Sequence, residues 1–123
     1  MLRVISLALV IISLVSGCGA FSGATLTRPL SECEGEYVGS FSGNDQGIMS
    51  GFVSGNGAVV GSVFSALAGT VVMQGFAEAD GEFLGVASTG AIFEGQLTND
   101  CTINGNWSNG FFSGRWTASL LQQ

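Results

Sequence analysis

From Tyr37 to Leu120 large apolar residues recur at every second position, and Gly or Asn interrupts the pattern at short intervals. Period two is the signature of β-strands with one face turned to a core. Eight strands are predicted, over about 37–43, 47–54, 58–65, 70–78, 82–89, 91–98, 102–108 and 111–120. The breaks between them, such as Gly55-Asn56-Gly57, Ala79-Asp80-Gly81 and Asn109-Gly110, are short enough to require antiparallel neighbours. The pattern predicts an all-β domain, an up-and-down antiparallel meander of about eight short strands. Closing it into a small barrel removes both exposed edges, with an open meander or a sandwich as the alternative.

Within the strands Gly alternates with a large residue, as in Tyr37-x-Gly39-x-Phe41-x-Gly43, Phe93-x-Gly95-x-Leu97, Ile103-x-Gly105-x-Trp107 and Phe112-x-Gly114-x-Trp116. Gly and the large residues then share one face, which suits the inside of a tightly curved barrel. Tyr37, Phe41, Phe93, Trp107, Phe112 and Trp116 are expected to fill that interior as core, with a small-ligand pocket as the alternative use of the space. The other face of the last strands is polar: Glu94, Gln96 and Thr98, then Asn104, Asn106 and Ser108, then Ser113, Arg115 and Thr117. A membrane-spanning barrel needs a continuous apolar outer band and is not expected. The middle strands are apolar on both faces. Ile48–Phe52 and Val71–Phe76 are therefore expected to form a partner-facing wall, with coverage of Val63–Met73 by its own loop as the alternative. The run Ser62–Ala68 fits either a strand or a short helix.

The N-terminus has a different character. Arg3 is followed by an apolar stretch from Val4 to Val15, too short to span a bilayer, and then by Leu14-Val15-Ser16-Gly17-Cys18. This run resembles the lipobox of bacterial lipoproteins: an aliphatic residue, two small residues, and the cysteine that receives the lipid. The resemblance implies a signal peptide over residues 1–17, lipid on Cys18 and a membrane partner reached through it. Gly19 in place of Asp implies export to the outer membrane. Residues 18–32 read as lipidated cysteine and flexible tether, and 33–123 as the barrel domain. An exported chain with Cys18 in use leaves Cys33 and Cys101 as an even pair, expected to form a disulfide rather than two thiols.

Charge narrows the partners. The chain contains no Lys or His, and Arg28 and Arg115 are the only cations beyond the signal, against nine carboxylates. Nucleic acid and anionic lipid headgroups are excluded as electrostatic partners. In an up-and-down meander alternate turns fall at one end. That places Glu32, Glu34, Glu36, Glu78, Asp80, Glu82 and Asp100 together, with Cys33 and Cys101 among them. Such an end could take a cation or a basic partner, or simply be a solvated rim. No calcium-loop motif is present, so no metal and no cofactor are assigned. With no His, no Lys and no activated Ser, an enzyme is not expected.

The segment Ser88-Thr89-Gly90-Ala91-Ile92-Phe93-Glu94-Gly95, followed by Gly105-Asn106-Trp107-Ser108-Asn109, is similar to small, exported, Gly-rich β-meander proteins. It also resembles the Ser-Gly-x-x-Tyr loop of membrane-bound inhibitors of c-type lysozyme, with Thr89 inserted and Phe93 in place of Tyr. The first resemblance implies a non-enzymatic binding or structural module of the cell envelope. The second implies inhibition of a basic enzyme, for which an acidic surface would speed encounter.

Overall fold

The computed structural model describes residues 25–121. Its strands follow in chain order: β1 (Gly35–Gly43), β2 (Gly47–Val53), β3 (Ala58–Ser65), β4 (Gly69–Ala77), β5 (Glu82–Ala87), β6 (Ile92–Leu97), β7 (Thr102–Asn109) and β8 (Phe112–Leu120). Each pairs antiparallel with the next, and β8 returns to β1 to close the barrel. The closing register runs from Tyr37 opposite Leu120, through Phe41 opposite Trp116, to Gly43 opposite Gly114. The meander is therefore closed; the open sheet and the sandwich are not formed. Ser62–Ala68 is the end of β3 and a turn, not a helix. Ser65 ends the strand there, its hydroxyl accepting from the Ala68 and Leu67 N–H groups at 2.8 and 3.1 Å.

The interior obeys one pairing rule. Each inward aromatic ring and methionine stands opposite an inward glycine on a neighbouring strand, whereas Val63 and Val71, and Leu97 and Ile103, meet without one. Tyr37 faces Gly51, Phe41 faces Gly47 and Met49 faces Gly39. Met73 faces Gly61. Phe83 faces Gly95 and Phe93 faces Gly85, while Trp107 faces Gly114 and Trp116 faces Gly105. At Gly47 and Gly114 the ring across the ladder lies beside where a Cβ would stand, and at Gly39, Gly51, Gly61 and Gly105 a Cβ would meet the neighbouring backbone, so glycine permits both the close strand approach and the dense packing of so narrow a barrel. A Cβ at Gly114 would sit 2.6 Å from Trp107 Nε1, and one at Gly95 would sit 3.0 Å from Trp116 Cζ2.

The rings form a continuous core. Trp107 and Phe41 lie 5.7 Å apart, Phe41 and Phe93 6.3 Å, Phe93 and Trp116 5.8 Å, and Trp116 and Phe83 5.2 Å between centroids. The first three contacts are edge-to-face, the geometry favoured by the ring quadrupole. Both indole N–H groups are satisfied: Trp107 donates to the Ser42 carbonyl at 2.9 Å and Trp116 to that of Glu94 at 3.0 Å. Phe112 departs from expectation. It has inward parity, but the β7–β8 hairpin tip overhangs both neighbours, whose ladders end at Gly43 opposite Gly114 and Ile92 opposite Ser108. No wall stands beside the ring there, and it is 46% exposed.

The described stretch before β1 is bound to the barrel, although residues 18–32 read as a tether. Leu26 is buried at the basal end, where β1 begins, and Leu30 packs on the same core. The Leu26 N–H donates to the Asp80 carbonyl at 3.0 Å. Asn99 clamps the strap from the far side, accepting from the Thr27 N–H and donating to the Thr27 hydroxyl, both at 2.8 Å. Arg28 Nη1 donates to the Asn99 carbonyl at 2.7 Å. A 3-10 turn, Leu30–Cys33, then delivers Cys33 to its bond with Cys101, their Cα atoms 5.3 Å apart. Two leucines and a disulfide thus plug this end. A polar tether sequence becomes ordered here because an open barrel end would otherwise leave its core wet.

Tyr37 ties plug to barrel. Its hydroxyl donates to the Cys33 carbonyl at 2.7 Å, and the side chain is 4% exposed. Burial pushes its pKa up from 10.0 to about 12, against a small opposing pull from Arg28. The folded pKa lies above the unfolded one, so this contribution is fully present below pH 10 and is lost as pH rises towards 12. Urea midpoints should fall by the equivalent of about 1 kcal/mol by pH 11. Tyr37→Phe, less stable at neutral pH, should lack this alkaline slope; an equal slope in both proteins would move its origin elsewhere.

Candidate functional site

Four of the connecting turns share one geometry. Ser54–Ala58, Glu78–Glu82, Ala87–Ala91 and Thr98–Thr102 each close with the N–H of the first residue donating to the carbonyl of the fifth, at 2.8–2.9 Å. In three of them the fourth residue is a glycine at positive φ: Gly57, Gly81 and Gly90. In the last it is Cys101, at φ 59°. The left-handed conformation disfavours any side chain, so the disulfide occupies a position at which its sister turns use Gly.

The basal turns gather the acidic residues. Asp80 and Asp100 lie in turns at that end, Glu78 and Glu82 flank the first of these turns, and Glu32, Glu34 and Glu36 lie in the entry to β1. Glu78, Asp80 and Glu82 can bring one carboxylate oxygen each to within 4.8 Å of one another, all three exposed. The cluster is partly neutralised. Arg28 Nε pairs with Glu32 Oε1 at 3.1 Å, and the Thr98 hydroxyl donates to Asp100, holding that carboxyl below its ordinary pKa. Asp80 also serves its own turn, accepting from the Glu82 N–H at 3.0 Å. These carboxylates are solvated and partly committed to turn structure. Cys18 and the signal-like residues 1–17 lie outside the described residues.

The outer surface is divided lengthwise. On β7, β8 and the adjoining part of β6 it is polar. Glu94 stands opposite Asn106 and Gln96 opposite Asn104, Asn106 opposite Arg115 and Asn104 opposite Thr117. From β2 to the start of β6 it is mainly apolar, with Ser50, Ser62, Thr70 and Gln74 set among the apolar positions. Phe52 faces Val60 and Ile48 faces Phe64; Phe76 faces Leu84; Val86 faces Ile92. With Val38 and Val72 these make ten outward apolar side chains, each at least 40% exposed. So many exposed large apolar side chains on one side of a small domain are the kind of surface that marks a binding site.

Ile48, Phe52, Val72 and Phe76, expected on the wall, lie on it, whereas Val71 and Met73 turn into the core. Val38, Val60, Phe64, Leu84, Val86 and Ile92 were not singled out from sequence. Carrying period two outward through β1, β3, β5 and the start of β6 finds them. No loop covers the wall among the described residues. The segment Ser88–Phe93 divides as well: Ser88, Thr89 and Gly90 are exposed at the end opposite the acids, but Phe93 is buried between Phe41 and Trp116. The ring that stands in for the tyrosine of the lysozyme-inhibitor loop is therefore not at the surface.

No protein-family model, curated protein or solved structure matches the chain. The assignment of a function accordingly rests on geometry and chemistry alone.

Proposed function

We propose that this protein is a non-enzymatic binding module of the bacterial cell envelope, held at the outer membrane by lipid on Cys18 and engaging an envelope protein through the apolar wall of β2–β5. The lipobox-like run Leu14–Cys18 supports the anchor. The wall carries the binding reading. An interface of standard size takes ~800 Å² from each partner, and ten exposed apolar side chains are spread over the outer face of β1–β6. Phe52, Phe64 and Phe76 provide the rings that dominate interface energetics. The non-enzymatic reading is supported by the lack of His and Lys in the chain. Tyr37, a titratable side chain that is buried, commits its hydroxyl to the Cys33 carbonyl.

The test is affinity purification of the full-length protein from detergent-solubilised membranes, alongside Val72→Ser and Phe76→Ser. Both side chains are more than half exposed, at 61% and 52%, so the variants should melt within a few degrees of the parent. The parent should carry acyl mass on Cys18 and a stoichiometric companion that survives a salt wash, and the two variants should lose the companion. A companion retained equally by all three proteins would remove the wall from the reading. An unmodified Cys18 would remove the anchor.

A further inference from the structure

The two ends of the barrel are built differently. The basal end is plugged by Leu26, Leu30 and the disulfide, and both ends of the described chain leave from there. At the opposite end the described chain supplies no such plug. An apolar recess of about 150 Å³ opens there into the barrel. Its floor is the ring cluster of Phe41, Phe93 and Trp107, and Val71, Ala87 and Ala91 line the walls.

The recess has a local cause in the sequence. Ala87 and Ala91 occupy inward positions at the ends of their strands, where a ring or a branched chain would fill the mouth. Phe112, the residue whose parity should fill it from the other side, stands on the overhanging hairpin instead and forms the rim. Next to it Phe111 is fully exposed, and Leu67 on the facing turn is 64% exposed. Two large apolar side chains, Phe112 and Leu67, thus stand at the mouth of a mainly apolar hole, and Phe111 lies next to it in sequence without lining it. The one charged group on the rim, Asp45, is already used. It accepts from the Ser65 hydroxyl and from the Leu67 N–H, holding the facing turn in place.

We propose that this open mouth is a binding site for an uncharged apolar group the size of one aromatic ring or the end of a short alkyl chain. A recess of this volume with an apolar lining holds a benzene-sized guest and gives ordered water few hydrogen-bond partners. A charged head beside Asp45 would have to be cationic or remain outside the rim, so the buried portion is neutral. The site is independent of the outer wall: its lining faces into the barrel, and its rim lies on the turns after β1, β3 and β5 and on the β7–β8 hairpin, at the end away from Cys33. An occupant would touch Trp107 but not Trp116, which contributes to the deeper core only.

That difference makes the test specific. The full chain is titrated with toluene up to its solubility while the indole N–H resonances of Trp107 and Trp116 are followed by NMR. Trp107 should shift and saturate, with Trp116 much less affected, and the melting temperature should rise with toluene concentration. Ala91→Leu and Ala87→Leu each place a larger side chain in the recess. Either should weaken toluene binding by about tenfold or more while the free protein melts no lower than the parent. Two variants are used so that misfolding of one leaves the other to decide. Repeating the titration with n-hexanol separates the sources of such a group: tighter binding of toluene marks a free ring, tighter binding of the alcohol an alkyl chain end. A Trp107 signal that stays in place, or equal affinity in the parent and the folded filled variant, overturns the proposal.

Discussion

Reduction of the Cys33–Cys101 disulfide should lower the unfolding free energy by about 4 kcal/mol, enough to unfold much of the population of so small a domain at physiological temperature. The bond joins residues 68 apart and encloses β1 to β6 with the turn into β7. Cutting it restores the loop entropy of that whole span to the unfolded chain and also frees the plug. Cys33 anchors the carbonyl that Tyr37 bonds, and the strap behind it carries Leu26 and Leu30 into the core. Urea denaturation with and without reductant measures the loss. The choice of replacement at Cys101 adds a second readout. Its φ of 59° is the value the sister turns assign to glycine. Cys33→Ser with Cys101→Gly should therefore be about 1 kcal/mol more stable than Cys33→Ser with Cys101→Ser. Equal stability of the two double variants would show that the turn relaxes once the bond is gone.

Gly105→Ala should cost about 3 kcal/mol or more, comparable with loss of the disulfide and far beyond a normal glycine substitution. The added methyl would overlap the carbonyl of Glu94 and lie 2.6 Å from the Cα of Gly95. Both are backbone atoms of a paired strand, so no side-chain rotation relieves the clash. The same carbonyl accepts the Trp116 indole N–H, so separating β6 from β7 also disturbs the ring cluster. Gly55→Ala is the control. That residue lies half-buried in a basal turn, where the nearest atom to a new Cβ is a flexible Glu34 oxygen at 3.3 Å. It should change stability by less than ~0.5 kcal/mol, the range of an ordinary surface substitution. Thermal melts of the three proteins decide the matter, and a mild effect at Gly105 would mean the ladder there can widen.

How much could be read without coordinates differs between core and site. Alternation from Tyr37 to Leu120 is strong enough that every strand was placed to within two residues, because a one-residue slip would put rings into solvent. Antiparallel order followed from turn length, and the basal meeting of Cys33 and Cys101 followed from that order. The cross-ladder pairing of ring with glycine was half visible. Period two puts both on one face, but which glycine meets which ring depends on register, set by turns such as Ser54–Ala58. Phe112 shows where parity stops being informative: a residue of inward parity needs a neighbouring strand beside it, and the overhang removes one. The tether reading of 18–32 stopped short for the complementary reason. Thr25–Glu32 has no periodicity of its own and is ordered by the open barrel end it seals.

The chain by itself determined an eight-stranded, antiparallel, glycine-rich β-meander with most carboxylates gathered at one end beside Cys33 and Cys101. Those properties follow from local pattern, turn length and charge, each legible over a few residues. Only the tertiary structure decided what the surface and the ends of the barrel present. The apolar outer side chains are scattered along β1 to β6 and become one wall because adjacent strands bring them together. The recess at the mouth depends on strand ends from across the whole chain failing to fill a common space. Both are properties of neighbours distant in sequence, and period-two alternation carries no record of which neighbours those are.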